Sequence, residues 1–359
     1  MTYCRPTGDA AIVLFRRHSA GGNGWARLRM DAVDVIVPCY GYGRFLRECV
    51  ESVLTQSLRD VRVLIIDDAS PDETAEVADQ LMREDPRVAY FRHPENRGHI
   101  ATYNEGIELA SARYLLVLSA DDYLLPGALA RAVAVMDAHP EVGFTYGRCV
   151  PLYPGAEGPY SGHGGGSWGW KMLSSLEFIE LNGAQNNVAT ATAVVRTSLQ
   201  HRVGGYRADL PHAGDMEMWL RLALRGTVGL IEANQAVYRR HEQNMSQGFN
   251  GRLRDLQQRK VALDSVFDGD VQVGPDMARL RGRLIEALAR DAVSQASEAF
   301  NRGDAAECRR MLEFAVQIFP GAPRFEQWRR IAWKRRLGRK LWAAMHPMVL
   351  ELRRLGMTN

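Results

Sequence analysis

The chain has 359 residues, 46% of them hydrophobic, and a formal net charge of +3, enough for one large domain with an appendage or for two domains. No run of about 18 apolar residues occurs, so no membrane-spanning helix is expected. Cys4, Cys39, Cys49, Cys149 and Cys308 are odd in number and lack CxxC spacing, which argues against a disulfide framework and a zinc site and suits a reducing, cytoplasmic location.

Residues 1–30 show no clear period and include Ser19-Ala-Gly-Gly-Asn-Gly24. They are expected to be a disordered tail, and Met30, just before the first strand, is an alternative start. The apolar stretch Ala10–Phe15 is short for a signal sequence.

A regular alternation begins at Val33. Val33–Val37 reads as a buried strand, and Phe45, Leu46, Cys49, Val50, Val53 and Leu54 mark one face of a helix. Val61–Ile66 is a second strand, and Ser70-Pro71-Asp72-Glu73 opens a helix running to Glu84. Strands at Val88–Phe91 and Tyr114–Leu118 flank a helix over Ile100–Ala110. A helix over Pro126–Ala138 and a strand over Val142–Val150 follow. Such alternation predicts an α/β fold: a mainly parallel, Rossmann-like sheet with helices on both faces.

Residues 151–170 are a Pro- and Gly-rich loop ending in Trp168 and Trp170. The two indoles either stack on sugar faces or pack the loop down, and packing is the preferred expectation. A helix is expected over Lys171–Leu181, a strand over Thr190–Val195 and a helix over Asp215–Leu224. Beyond about residue 250 the pattern is helical, over Leu253–Phe267, Met277–Arg302 and Ala305–Phe319, the last two as a hairpin. The expected division is a tail over 1–30, an α/β domain over 31–250 and a helical region over 251–359.

The strands end in polar clusters: Pro38-Cys39-Tyr40-Gly41-Tyr42, Asp67-Asp68-Ala69-Ser70, Glu95-Asn96-Arg97-Gly98 and Ser119-Ala120-Asp121-Asp122. All four fall on the carboxyl rim of a parallel sheet, where ligands of such folds bind. Each Asp pair alone reads as a turn. Four clusters in register suit a nucleotide, with the Asp121–Asp122 pair placed for a divalent cation on its phosphates. Gly41-Tyr-Gly43-Arg-Phe-Leu46 lacks the third glycine of a dinucleotide fingerprint, which excludes a hydride-transferring enzyme.

Val35-Ile-Val-Pro-Cys-Tyr40, Ile66-Asp-Asp-Ala-Ser70, Glu95-Asn-Arg-Gly98 and Ser119-Ala-Asp-Asp122 resemble successive motifs of the GT-A-fold family 2 glycosyltransferases. So do Val203-Gly-Gly-Tyr206, Gly214-Asp-Met-Glu-Met-Trp-Leu-Arg-Leu-Ala223 and Tyr238-Arg-Arg-His-Glu-Gln-Asn-Met-Ser246. The resemblance spans roughly Val33 to Ser246 and implies inverting transfer from a nucleotide-sugar, a UDP-sugar first, with Mg²⁺ or Mn²⁺. It implies nucleoside contacts from Asp67 and Asp68, a rim of Pro38, Tyr40, Asn96 and Arg97 around the donor, and a metal at Asp121 with Asp122 and His241 beside it. Ser119 replaces the first acid of the usual D-x-D, which leaves open how Asp121 and Asp122 divide the metal.

The resemblance makes Asp215 the catalytic base, a role suited to a carboxylate at a helix start; an N-cap is the alternative, and Glu217 is the local rival. His241, after Arg239-Arg240, is implied to approach the diphosphate. Arg324–Arg354 holds ten basic and two acidic residues, a net of +8, so the remainder of the chain carries −5. Trp328, Trp333 and Trp342 interleave with these charges, which suits an anionic membrane surface better than nucleic acid, for which no recognised module is present.

The expected function is therefore transfer of a sugar to a saccharide or lipid-linked acceptor in cell-surface polysaccharide or glycolipid synthesis. The expected location is cytoplasmic, peripheral at the inner membrane face. The rivals are a nucleotidyltransferase, disfavoured by the lack of a Gly-rich phosphate loop, and a catalytically inactive nucleotide-sugar-binding module.

Overall fold

Seven residues with no exposed side chain, Val33–Cys39, form strand β1 at the centre of a parallel four-strand block. The computed structural model describes residues 32–155, 168–242, 244, 253–268 and 274–342. Helix α1 (Gly43–Leu54), β2 (Val61–Asp67), α2 (Thr74–Glu84), β3 (Val88–Arg92), α3 (His99–Leu109) and β4 (Tyr114–Val117) follow in order. β1 pairs in parallel with β2 and β4, and β2 with β3.

Successive strand residues face opposite sides of a sheet. On one side Val35, Val37, Val63 and Ile65 cluster with Leu46, Cys49 and Val50 of α1. On the other, Ile36 meets α3 so closely that a Cβ on Gly106 would lie 2.2 Å from its Cγ2. The block is thus covered on both faces, which is why its strands read as near-continuous apolar runs.

β5 (Tyr123–Leu124), α4 (Ala128–Ala138), β6 (Val142–Leu152) and β7 (Trp170–Leu173) come next, then α5 (Ser175–Asn182), β8 (Val194–Arg196), α6 (Thr197–Val203), α7 (Gly214–Ala223) and β9 (Thr227–Arg239). The strand order is β3-β2-β1-β4-β8-β6-β9-β5, with β7 also on β9. β6 and β9 pair in parallel over a long register, while the antiparallel pairings of β8, β5 and β7 are short. The sheet is mixed and mainly parallel, with the GT-A arrangement.

Three local expectations change. The helix expected over Lys171–Leu181 is strand β7 followed by α5, because Trp170–Leu173 finds an antiparallel partner in β9. Thr190–Val195 is a 3₁₀ turn over Thr190–Thr192 leading into β8. The 13-residue β9 was not anticipated: Glu232, Asn234 and Gln235 interrupt its apolar pattern, and they sit where its register with β6 shifts.

The chain divides into two compact units, each drawn from several stretches of sequence. The sheet with α1–α4 and α6 makes one; 175–187, 209–224 and the described residues from 242 make the other. The second unit holds α5, α7, α8 (Leu253–Phe267), α9 (Pro275–Arg302), α10 (Ala305–Ile318) and α11 (Glu326–Leu337). Leu280, Leu284, Leu288, Ala292 and Ala296 bury one stripe of α9, the spacing of an amphipathic helix. Gly303, at φ 92°, turns the chain into α10, and Asp304 caps that helix by accepting the Glu307 amide at 2.8 Å. This is the expected hairpin.

Candidate functional site

The loops after β1, β2 and β3 are tied together by backbone and carboxylate hydrogen bonds. The Asp68 amide donates to Cys39 O and the His93 amide to Asp67 O, each at 2.9 Å. The Gly41 amide donates to Ser70 Oγ at 3.1 Å, and the Gly43 amide to Asp72 Oδ2 at 2.9 Å. A Cβ on Gly43 would lie 2.7 Å from the Thr74 nitrogen, so only glycine permits this approach. Ala69 is the one non-glycine residue with positive φ (58°) among the described residues, a strain of about 1 kcal/mol held by the surrounding bonds.

Asp67 and Asp68 both lie buried on this rim. Asp67 accepts the Ser70 amide and the Tyr90 hydroxyl, each at 2.8 Å, with Arg92 at 3.3 Å. Asp68 accepts the amides of Arg97 at 2.7 Å and Gly98 at 2.9 Å, and its Oδ1 lies 2.7 Å from His93 Nδ1. Both carboxylates therefore shape the loops, whatever else they contact. Tyr40 projects half-exposed at the end of β1, whereas Pro38 is buried inside that strand. Asn96 and Arg97 are exposed; Asn96 Oδ1 accepts the Gly98 amide, and Arg97 pairs with Glu105 at 2.7 Å.

The turn after β4 carries Asp121 and Asp122, 4% and 5% exposed. Asp121 Oδ2 lies 3.0 Å from His241 Nε2. Asp122 Oδ1 accepts the Arg239 amide at 3.0 Å, and Arg239 Nε donates to Asp121 O at 3.0 Å. β9 delivers this strap: Tyr123 of β5 pairs with Val237. The His241 ring stacks on Phe45 at 5.4 Å and meets Tyr42 edge-on at 5.5 Å. Burial, and then the neighbouring Asp121 charge, raises the Asp122 carboxyl well above the usual range. Burial, with Asp121 next, also raises the Tyr42 phenol.

Among the described residues no group of three or more His, Cys, Asp or Glu side chains is arranged to hold a metal. The donor set still fits a hard divalent cation completed by substrate. Mg²⁺-type sites take one or two carboxylates and draw the remaining ligands from phosphates and water. Two adjacent buried carboxylates, one of which resists ionisation, are the environment that a cation relieves. The thiols are no rivals as ligands: burial pushes Cys39 and Cys149 up to about 12 and Cys49 well above its ordinary value.

In the second unit Asp215 is the second residue of α7 and half-buried. No side-chain cap closes that helix at Ala213. Glu217 is buried and paired with Arg221 at 2.8 Å, one helical turn on. The segment before Asp215 is held by α8: Gln258 Oε1 accepts the amides of His212 at 2.8 Å and Ala213 at 3.0 Å. His212 Nε2 lies 2.9 Å from Asp255 Oδ1, and Asp255 pairs with Arg259 at 3.1 Å.

Several of these residues escaped sequence reasoning. Buried His93 bridges Asp68 through Nδ1 and the part-exposed Glu105 through Nε2, signalled only by a histidine directly after a strand of the same rim. In the sequence Tyr42 stands only as the last residue of the first polar cluster and Phe45 only as part of a helix face, and Gln258 carries no motif. Trp170 packs on His139 at 4.7 Å, in keeping with the packing expectation, whereas Trp168 is exposed. Residues 156–167 of the loop, Ser246 and the tail over 1–30 lie outside the described residues.

Comparison with known proteins bears on the family and the fold. Residues 34–201 match the profile of glycosyl transferase family 2. Glycosyltransferase GlyG of Streptococcus pneumoniae is 37% identical over 93 residues, 26% of this chain and 31% of GlyG; the match thus spans about a third of that relative. S. aureus TarS 1-349 in complex with UDP-GlcNAc superposes with a TM-score of 0.62 at 17% identity, over 81% of each chain. The mannosyltransferase PcManGT of Pyrobaculum calidifontis, in complex with GDP-Man and Mn²⁺, gives 0.53 at 17% identity, over 91% of each chain.

Proposed function

We propose that this chain, whose residues 34–201 match glycosyl transferase family 2, is a glycosyltransferase of that kind and moves a sugar from a nucleotide-sugar to a hydroxyl of a saccharide or lipid-linked acceptor, with inversion. The observation that carries this reading is the pairing of buried Asp121 with half-buried His241 at the carboxyl rim, beside the linked loops of β1, β2 and β3. A UDP-sugar is the first donor to test. The acceptor class points to assembly of cell-surface polysaccharide or glycolipid, and a lipid-linked acceptor would bring the enzyme beside an anionic membrane face.

In this reading Tyr40, Asp67 and Asp68 frame the nucleoside, with Pro38, Asn96 and Arg97 setting the loops around it. Mg²⁺ or Mn²⁺ would be held by Asp121 and His241, and it would offset charge on the departing diphosphate. Asp122 keeps Arg239 and the end of β9 in place, so Asp121 is the preferred ligand of the two. Asp215 takes the acceptor proton as general base; its support is the motif resemblance and the commitment of Glu217 to Arg221.

A donor panel read by thermal shift with Mn²⁺ tests the reading, because a bound donor raises the melting temperature by mass action. UDP-sugar hydrolysis read alongside separates the rivals. An inactive binding module would show the shift without turnover, and a nucleotidyltransferase would release pyrophosphate.

A further inference from the structure

Helix α11 presents Arg329, Trp333 and Arg336 at i, i+4 and i+7, one side of a helix. All three are exposed, Trp333 at 46%. Beyond Gly338, Arg339, Lys340 and Leu341 are exposed as well, Leu341 at 50%. Among the described residues Arg329, Arg335, Arg336 and Lys340 make no ion pair, while Arg330 pairs with Glu326. The opposite side is anchored: Ile331 is buried, Lys334 Nζ donates to Ser297 Oγ at 2.7 Å, and Trp342 is buried with Lys334 4.6 Å from its ring centre.

A solvated face accounts for the arginines. It does not account for an indole and a leucine standing exposed among them, since apolar exposure brings a folded chain no stability. Unpaired cations around an exposed Trp match the headgroup region of an anionic bilayer, where the charges meet lipid phosphates and the indole sits at the interface. No helix among the described residues is long and apolar enough to cross a membrane. We propose that the Arg329–Trp333–Arg336 face of α11, continued by Lys340 and Leu341, docks reversibly on an anionic lipid surface. The proposal deepens the reading of a lipid-linked acceptor but rests on α11, so it stands or falls apart from the donor site.

The test is co-sedimentation of the full chain with phosphatidylcholine vesicles, with and without phosphatidylserine. Wild type is expected to bind only the anionic vesicles and to be released by high salt. The triple variant Arg329→Ala/Arg336→Ala/Lys340→Ala should lose about 100-fold in partitioning, with unchanged melting because those side chains hold nothing in the fold. Trp333→Ser should weaken binding while leaving its salt sensitivity. Hydrolysis of a water-soluble donor, read on the same samples, should be unaltered in the triple variant, which separates loss of docking from loss of the enzyme. Equal partitioning of the triple variant and wild type, or indifference to phosphatidylserine, would overturn the proposal. So would tighter binding to a duplex oligonucleotide than to anionic vesicles, which would assign the face to nucleic acid.

Discussion

Asp121 Oδ2 and His241 Nε2 stand 3.0 Å apart across 120 residues of chain, joined by the β5–β9 pairing. If this pair anchors the cation, Asp121→Ala should reduce Mn²⁺-dependent donor turnover by more than about 100-fold, and His241→Ala by about 10–100-fold, the usual range for ligands and their supporting groups. Isothermal titration of donor with and without Mn²⁺ checks it. Undiminished metal-dependent binding in Asp121→Ala would remove the assignment.

If Asp215 is the general base, Asp215→Asn keeps the shape of the side chain and removes the proton acceptor. Transfer should fall by about 10²–10⁴-fold with donor affinity retained. Glu217→Ala should behave in the opposite way: it removes the carboxylate from a largely buried ion pair with Arg221, costs about 3 kcal/mol of stability, and leaves turnover per folded molecule nearly intact. Steady-state kinetics beside urea melts distinguishes the two residues.

Gln258→Leu deprives the His212 and Ala213 amides of their common acceptor. Losing these two bonds should cost about 1–3 kcal/mol and lower kcat without raising the donor KM, since the change loosens the segment before Asp215 and leaves the rim residues alone. A raised donor KM with normal kcat would contradict this positioning role.

Asp72 supplies a pH test. Burial opposes its ionisation, but hydrogen bonds from the Thr74 hydroxyl and the Gly43 and Thr74 amides outweigh it and lower its pKa. A lowered folded pKa means that the unfolded chain binds more protons in the acid range. The stabilisation is therefore present above the ordinary Asp value of about 3.9 and is lost as pH falls through the folded value. The melting temperature of Asp72→Ala should lie below that of wild type at neutral pH, and the gap should close on acidification. A gap that does not shrink at all on acidification below the ordinary Asp value would mean that the carboxylate charge is not its source.

The first half of the fold was legible because its strands are short apolar runs separated by helix faces of period 3.6, and both patterns are local. The same locality exposed the rim, since each polar cluster directly follows its strand. β9 was not legible: Glu232, Asn234 and Gln235 break its pattern, and only pairing with β6, β5 and β7 makes it a strand. Without β9 the sequence could set Asp121 and His241 in one motif set but could not bring their side chains together.

What the sequence determined by itself is therefore the order of the strands' ends and the chemistry carried on them: carboxylates after β2 and β4, a histidine after an arginine pair, a basic C-terminal stretch. What only the tertiary structure decided is how each group is spent. Asp68 became a clamp for the Arg97–Gly98 amides, Glu217 a buried partner of Arg221, and Asp122 a tether for Arg239. A carboxylate's identity is local, but its desolvation and its hydrogen-bond partners come from residues far away in the chain, and these determine whether it holds a loop, a helix or a ligand.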